Sequence, residues 1–479
     1  MLLTNITKII KCKKVYNLKK NTEFKYIFTN SNLVKSPSLL VIDKNKKFKS
    51  QYIYNAIKNG CVGLITNKFF ENYKIPQFIV NNIEESMLVI LYKMLPNKPK
   101  KSIGITGTNG KTSVLWYISQ LLTKNNIFVK SYGTLGYYVN NKKKNNSILT
   151  TPSYEILHQS SFSKKINKYT FIFEASSHAL DQNRLKTFPI NVAVLTNITH
   201  DHLDYHKTVQ KYKLAKLKLF TKYLNKKGVA IINDKISGLE KFKKKILEKN
   251  KVITYGESLS DVYIKKNIKN IDLKIFKKKY SIENTDFSKI GLENLSCAIA
   301  VCVALKMSLN EIINSLDNIQ SPPGRMQKIN VKGSFYKVYV DYAHTPDALQ
   351  KILENFSHLK KKPNIVFGCG GERDKLKRSK MGLIANKYAN KVYITDDNPR
   401  NENPKKIREE IKKKCKKGLE IGNRKVAIIK AINDLSIEDT LIIAGKGHEQ
   451  YQYINNESIK FSDIEVAKNA LFRRLNKCK

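Results

Sequence analysis

No CxxC pair occurs among the seven cysteines, which stand singly at 12, 61, 297, 302, 369, 415 and 478. This excludes a paired-thiol zinc site, and an odd, unpatterned count argues against a disulfide framework, so a reducing compartment is expected. Long apolar runs are also missing: none approaches the ~20 residues that a membrane-spanning helix needs. The opening MLLTNITKIIKCKK has too short an apolar stretch for a secretory signal. The cytoplasm is the expected location, with no membrane insertion. Acidic residues are scarce, 39 Asp and Glu against 88 Lys and Arg, which leaves a net charge of +49. Such a field draws polyanions, and a non-catalytic polyanion binder is one reading of it. The lysines are scattered beside Asn, Ile and Tyr, however, and form neither an arm nor a helical face. With no zinc-finger spacing and no RNP-type aromatic motif, no specific nucleic-acid partner is expected. The shared preference of these residues for AT-rich codons accounts for the bias.

What is present describes a globular protein. A hydrophobic fraction of 41% in 479 residues supports packed cores in two or three domains. The Lys- and Pro-rich link Leu95 to Lys101 and the turn Ser321-Pro-Pro-Gly-Arg325 mark boundaries, giving domains 1–98, 99–324 and 325–479. From residue 337 the apolar runs Val338–Val340, Ile365–Phe367, Val392–Ile394 and Leu441–Ala444 alternate with helix-like segments. That alternation predicts an α/β fold with parallel strands, whose carboxyl ends carry the ligand loops. The loops at Asp341–His344, Gly368–Gly371, Asp396–Arg400 and Gly445–Glu449 should then share one rim.

The middle region opens with a predicted strand, Ser102–Ile105, followed by Thr106-Gly-Thr-Asn-Gly-Lys-Thr112. Val114, Ile118, Leu121 and Leu122 then recur at helical spacing. Strand, glycine-rich turn and helix N-terminus together form a phosphate cradle, although Gly104 lies one residue too far from Gly110 for the usual P-loop spacing. Lys111 would neutralise phosphate charge and the Thr112 hydroxyl would join a magnesium ion. Glu174 ends the apolar run Tyr169–Phe173, and His202 lies in the polar cluster His200 to His206. Beside a phosphate loop, these two residues suggest magnesium ligation.

The strings GTNGKTS (107–113), EASSHAL (174–180), TNITHDHLDYH (196–206), PGRM (323–326), DYAHTPDAL (341–349), GGERDKLKR (370–378), DNPR (397–400) and GKGHE (445–449), together with Thr150-Thr-Pro152, occur in order. In this set the chain resembles the Mur ligases, in particular their diaminopimelate-adding branch. The resemblance implies a three-domain architecture: a UDP-substrate-binding domain, a central P-loop ATPase-like domain and a C-terminal Rossmann-like domain. It implies a monomeric, ATP-dependent ligase of peptidoglycan synthesis, and so of cell-wall biogenesis, cell shape and cell division. Its substrates would be UDP-N-acetylmuramoyl-L-alanyl-D-glutamate and meso-diaminopimelate, joined through an acyl phosphate.

By motif position, Gly107, Thr108, Asn109, Gly110, Lys111, Thr112, Ser113, Asn294, Arg325 and Asp341 would bind ATP. Ser31, Thr150, Thr151, Ser176, Gln182 and Arg184 would hold the muramoyl dipeptide. Arg373, Asp397, Asn398, Pro399, Arg400, Gly445 and Glu449 would bind diaminopimelate. Lys111, Glu174, His202 and Lys216 would be catalytic, and Thr112, Glu174, His202 and Lys216 would hold Mg2+. Lys216 would act as its carbon dioxide adduct, N6-carboxylysine. Arg400 offers a planar fork for a distal carboxylate that lysine lacks, which disfavours a lysine-adding or folylpolyglutamate-type ligase. The chain departs from the family pattern at Asn30-Ser-Asn32, where Asp-Ser-Arg is usual, and at Glu293 and Cys297, where Phe and Asn are common.

Overall fold

Short apolar runs bounded by polar clusters become buried strands throughout a computed structural model of the chain. It describes all residues except 20, 46–47, 148, 167, 200, 268–269, 284–288, 317–318, 357–358 and 478–479. His200 and Cys478 therefore lie outside the described residues. Two compact units result, one of Met1–Gly104, Asn126–Val192 and Lys218–Gly228, the other of Ile105–Asn125, Ala193–Leu217 and Val229–Lys479. The six described cysteines are all free thiols. Among the described residues no helix is long and apolar enough to cross a membrane.

The first unit contains a five-stranded sheet in the order Cys12–Tyr16, Gln77–Val80, Cys61–Thr66, Ser38–Ile42, Tyr26–Phe28. Its strands run parallel except Cys12–Tyr16, which pairs antiparallel at the edge. Ser38–Ile42 is buried along its whole length, the mark of a strand covered on both faces. In the same unit Thr170–Glu174 pairs parallel to Val129–Gly133, which turns back into Gly136–Val139. The helix Tyr154–Ser161 is docked by side chains that imitate a strand. Gln159 accepts from the Ile27 amide at 3.0 Å and donates to the Ile27 carbonyl at 2.8 Å. Glu155, buried in the same helix, accepts from Thr29 Oγ1 at 2.7 Å and Ser153 Oγ at 2.6 Å.

In the second unit, the end of Leu224–Asn233 pairs parallel to Lys251–Tyr255, and Val262–Lys266, Asn270–Ile275 and Lys278–Glu283 extend the array. A helix that carries Asn294 runs from Lys289 to Ala304. The C-terminal sheet has the order Gln327–Lys328, Lys337–Asp341, Thr440–Ala444, Asn364–Phe367, Val392–Ile394, Gly418–Glu420, parallel apart from its first member. All four expected strands are present. The sequence reading missed Gly418–Glu420 because an edge strand of three residues with only Gly418 buried carries no periodicity. One sheet face packs a core through Leu349, Ile352, Met381 and Ile407, the other through Ile428, Ile432, Ala467 and Leu471. Helices on both faces of a parallel sheet make this the doubly wound arrangement.

Buried His158 in the first unit gives a pH test. Its Nε2 lies 3.0 Å from the Leu95 carbonyl, its ring stacks on Phe162, and burial pushes its pKa from 6.5 down to about 4. The unfolded chain therefore takes up this proton first as pH falls. Stability is full above about pH 6.5 and is lost toward pH 4, by on the order of 3 kcal/mol. His158→Gln should flatten that slope in urea titrations at several pH values; an unchanged slope would show that another group is responsible.

Candidate active site

The phosphate loop is tied down mainly by amide and hydroxyl side chains. The Asn197 side-chain oxygen accepts from the Asn109 amide at 2.9 Å, and the Asn197 main-chain carbonyl accepts from the Thr108 amide at 3.0 Å. Thr196 Oγ1 donates to the Asn109 carbonyl at 2.6 Å, and Tyr212 Oη to Thr108 Oγ1 at 3.1 Å. Gly110 caps the helix Lys111–Lys124 at φ +85°, and a Cβ there would stand 2.5 Å from Asn294 Oδ1. The expected residues Val114, Ile118, Leu121 and Leu122 form the buried side of this helix. Its first-turn amides have no acceptor within the helix, the condition for an anion site. Lys111 Nζ donates to the carbonyls of Gly107 and Thr108 at 2.8 and 2.9 Å. Thr112 and Ser113 are buried just behind it.

Lys216 is buried with its Nζ 4.2 Å from the centre of the Tyr212 ring. Burial, and then the charge of Lys111, hold its amine well below the ordinary lysine pKa, against the opposing pull of Asp201. Lowered basicity favours the neutral amine, the form that combines with carbon dioxide, so Lys216 fits a carbamate. Its neighbour Asp201 is raised by burial, but His202, His344 and Lys377 outweigh that and hold its carboxyl below the usual range. His202 adopts a left-handed backbone at the start of Leu203–His206, with its half-exposed ring 3.5 Å from Asp201. Among the described residues no three His, Cys, Asp or Glu side chains form a metal-binding group. The donor set implied by the resemblance depends instead on a hydroxyl and on a lysine that must first be carboxylated.

Beyond the loop, Arg325 lies 4.3 Å over the Tyr342 ring, and its buried Nε has no acceptor among the described residues. Asp341 accepts from the amides of Met326 and Ala343, both at 2.7 Å. Burial raises Asp341 above the usual carboxylate range despite Arg325 and those amides. Glu293, one of the departures from the family pattern, is held by Asn233 and Lys235, each at 2.8 Å. Cys297, the other, is fully buried.

In the first unit the expected dipeptide residues converge. Thr151 Oγ1 donates to the Glu174 carbonyl at 2.7 Å and accepts from the Ser176 amide at 2.8 Å. Arg184 donates to the Thr151 carbonyl at 3.2 Å and to Gln182 Oε1 at 2.9 Å. Thr134, absent from the sequence reading, holds the buried Glu174 carboxylate through its amide (2.8 Å) and hydroxyl (3.0 Å), and it also meets Thr150 at 3.1 Å. Ser31 is buried in a short 3-10 turn, Ser31–Leu33.

The four C-terminal loops do share one rim. The Gly445 amide donates to the Asp341 carbonyl at 3.1 Å, and the Gly371 amide to the Asn398 carbonyl at 2.9 Å. Asn398 Nδ2 reaches Glu449 at 3.0 Å. Arg400, at φ +53°, donates to the Gly371 carbonyl at 2.6 Å, and its backbone bonds to Tyr453 and Asn455. Arg373 is exposed. Asp397 is buried and accepts from the Asn398 amide at 2.8 Å. The remaining acids of this loop serve the scaffold: Asp396 pairs with Arg408 and Glu402 with Arg378, while Asn403 caps the helix Pro404–Lys412.

Comparison with known families matches residues 105–305 to the Mur ligase middle domain and residues 324–447 to the Mur ligase glutamate ligase domain. A curated relative from Rickettsia bellii is 38% identical over 92% of this chain and 95% of its own length. The chain belongs to the Mur ligase family. That relative is named UDP-N-acetylmuramoyl-L-alanyl-D-glutamate--2,6-diaminopimelate ligase, as is a Buchnera aphidicola protein 36% identical over 91% of this chain and 92% of its own length. A solved structure with the same name aligns over 99% of both chains at 27% identity, TM-score 0.61. The MurF ligase from Thermotoga maritima, solved with ADP, shares the fold at TM-score 0.69, 18% identity and 95% and 99% coverage.

As a Mur ligase, the chain uses several residues that its sequence did not single out. Asn197 and Thr196 brace the phosphate loop, and Lys446 lies buried between Asn398 and Glu449. Only position within already recognised strings could have flagged them. A fourth, Arg424, is fully buried with Asp463 at 2.7 and 2.8 Å and donates to the Ala444 carbonyl at 2.9 Å. Arg424→Met should strand Asp463 without a partner and cost about 3–5 kcal/mol in urea unfolding. Arg424→Met with Asp463→Leu should recover part of that; a loss below ~1 kcal/mol in the single variant would deny the pair its structural role.

Proposed function

We propose that this Mur ligase adds meso-diaminopimelate to UDP-N-acetylmuramoyl-L-alanyl-D-glutamate at the expense of ATP, in peptidoglycan synthesis. The observation that carries the reading is the rim in which Arg400 bonds the Gly371 loop and Asn398, two residues before it, bonds Glu449, found in a chain whose relatives of matching length bear that ligase's name. Domains 1–98, 99–324 and 325–479 are assigned to the UDP-substrate, ATP and amino acid. The enzyme acts as a cytoplasmic monomer.

The D-glutamyl carboxylate is a poor electrophile, so it first takes the γ-phosphoryl group of ATP, releasing ADP and forming an acyl phosphate. The diaminopimelate amine then attacks the acyl carbon. The C–O bond to phosphate breaks, the nitrogen loses a proton and an amide remains. Lys111 and the helix N-terminus behind Gly110 stabilise charge on the moving phosphoryl oxygens. Asn294, Arg325 and Asp341 bind the rest of the nucleotide. Thr150, Thr151, Ser176, Gln182 and Arg184, with Ser31 in the N-terminal region, hold the muramoyl dipeptide.

Thr112, His202 and Lys216, once carboxylated, would hold magnesium, and Glu174 is the further ligand that the resemblance names. When bound, magnesium screens the phosphate charges. Arg400 and Arg373 take the amino acid's carboxylates, while Glu449 and the Gly445 carbonyl take its ammonium. Lysine would leave Arg400 without a carboxylate partner in a partly buried site, which is the basis of selectivity.

Phosphate release and product mass, measured with diaminopimelate, lysine or no amino acid, test the reading. Release should require diaminopimelate, and equal turnover with lysine would refute the assignment of Arg400. Arg400→Ala should raise the KM for diaminopimelate by roughly 10- to 100-fold, the loss of a charged hydrogen bond, with little change in the KM for ATP. Labelled bicarbonate should give a carbamate carbon signal in the wild type that Lys216→Met removes. Persistence of that signal in the variant would place the carbamate elsewhere.

A further inference from the structure

Lys446 is a lysine with no exposed surface in a chain whose cations are mostly solvated. Its three ammonium protons meet three acceptors: Asn398 Oδ1 at 2.8 Å, Glu449 Oε2 at 2.9 Å and the Tyr451 carbonyl at 2.8 Å. A buried ammonium is tolerated only when its hydrogen bonds are satisfied in this way. The arrangement also settles the direction of the Asn398 amide. Its oxygen accepts from Lys446 and, at 3.1 Å, from the Tyr453 amide. A flipped amide would aim its N–H groups at both donors. Nδ2 is therefore left to donate to Glu449 Oε2 at 3.0 Å.

Glu449 is consequently held by one oxygen only. Oε2 carries both donors, whereas Oε1 has no hydrogen bond among the described residues, and the side chain retains 29% exposure. We infer that Lys446 is a positioning residue for amino-acid recognition: it orients the Asn398 amide and anchors Glu449 so that Glu449 Oε1 faces the incoming ammonium. The inference rests on reading the rim as the amino-acid site, and it changes what Asn398 does. With its oxygen committed to Lys446 and Tyr453, Asn398 works chiefly as a strut between the Asp397–Arg400 and Gly445–Glu449 loops. Because Lys446 and Glu449 compensate each other, the carboxylate is already fixed before substrate arrives, which reduces the ordering cost of binding.

The alternative is a purely structural staple, and steady-state kinetics on the full chain separate the two. The variants are Lys446→Met, Glu449→Gln and the pair together, each measured for the KM of diaminopimelate and of ATP. Lys446→Met should raise the diaminopimelate KM by about tenfold or more while leaving the ATP KM within about twofold. The double variant should be no worse than the poorer single variant, because both act through one oxygen. Should Lys446→Met lose ATP binding through misfolding, Lys446→Gln keeps a donor for Asn398 without the charge and should show the same split to a lesser degree. A diaminopimelate KM that stays within about twofold, or that rises together with the ATP KM in both variants, would overturn the inference. Wild-type protein without diaminopimelate-dependent turnover would instead overturn the functional reading, and this inference with it.

Discussion

One buried guanidinium fixes the points from which two of the four C-terminal rim loops leave the sheet. Arg424 grips both oxygens of Asp463 on the last helix and the carbonyl of Ala444, immediately before the Gly445–Glu449 loop. It also lies 3.5 Å from the carbonyl of Asp396, immediately before Asp397–Arg400. The loops that carry Arg400 and Glu449 therefore leave the sheet from points held by the same planar group. Arginine suits this position, since its donors lie in one plane and diverge enough to reach a carboxylate and a carbonyl together.

Charge in this protein becomes informative only where water is excluded. The net +49 says little, because nearly all of it is solvated. Among the described residues, the buried Lys and Arg side chains are Lys216, Arg378, Arg424 and Lys446. Two of them, Arg378 and Arg424, hold loops through carboxylates; Lys446 holds a carboxylate and an amide. Lys216 has no carboxylate partner in this set and is forced toward neutrality. Depressed basicity in one lysine and full hydrogen bonding in another are opposite answers to the same desolvation penalty.

Much of the fold was legible in the sequence because it depends on local pattern. The phosphate-loop helix follows from the spacing of Val114, Ile118, Leu121 and Leu122, and the C-terminal sheet from apolar runs that end in glycine or polar residues. The convergence of Thr150, Thr151, Ser176, Gln182 and Arg184 was legible only through resemblance, since no periodicity joins Thr151 to Arg184. Residues that act by tertiary reach were invisible. Thr134 meets Glu174 forty positions away, and Asn197 meets Asn109 eighty-eight positions away. The loop from Thr395 to Pro404 was half understood: its arginine faces the rim, while Asp396, Glu402 and Asn403 are committed to an ion pair, another ion pair and a helix cap.

Arg400 is bonded through its main chain to the strand Tyr451–Ile454, whose partner is Glu457–Lys460, and through its side chain to the carbonyl of Gly371. Its position is thus set jointly by three separate stretches of sequence. A four-residue box moved alone into a related ligase would carry the guanidinium but not its address. Inheritance of substrate choice in this architecture is then a matter of keeping a hairpin and two loops in mutual register, and insertions in the hairpin, remote from any ligand, are as able to redirect it as changes to the arginine itself.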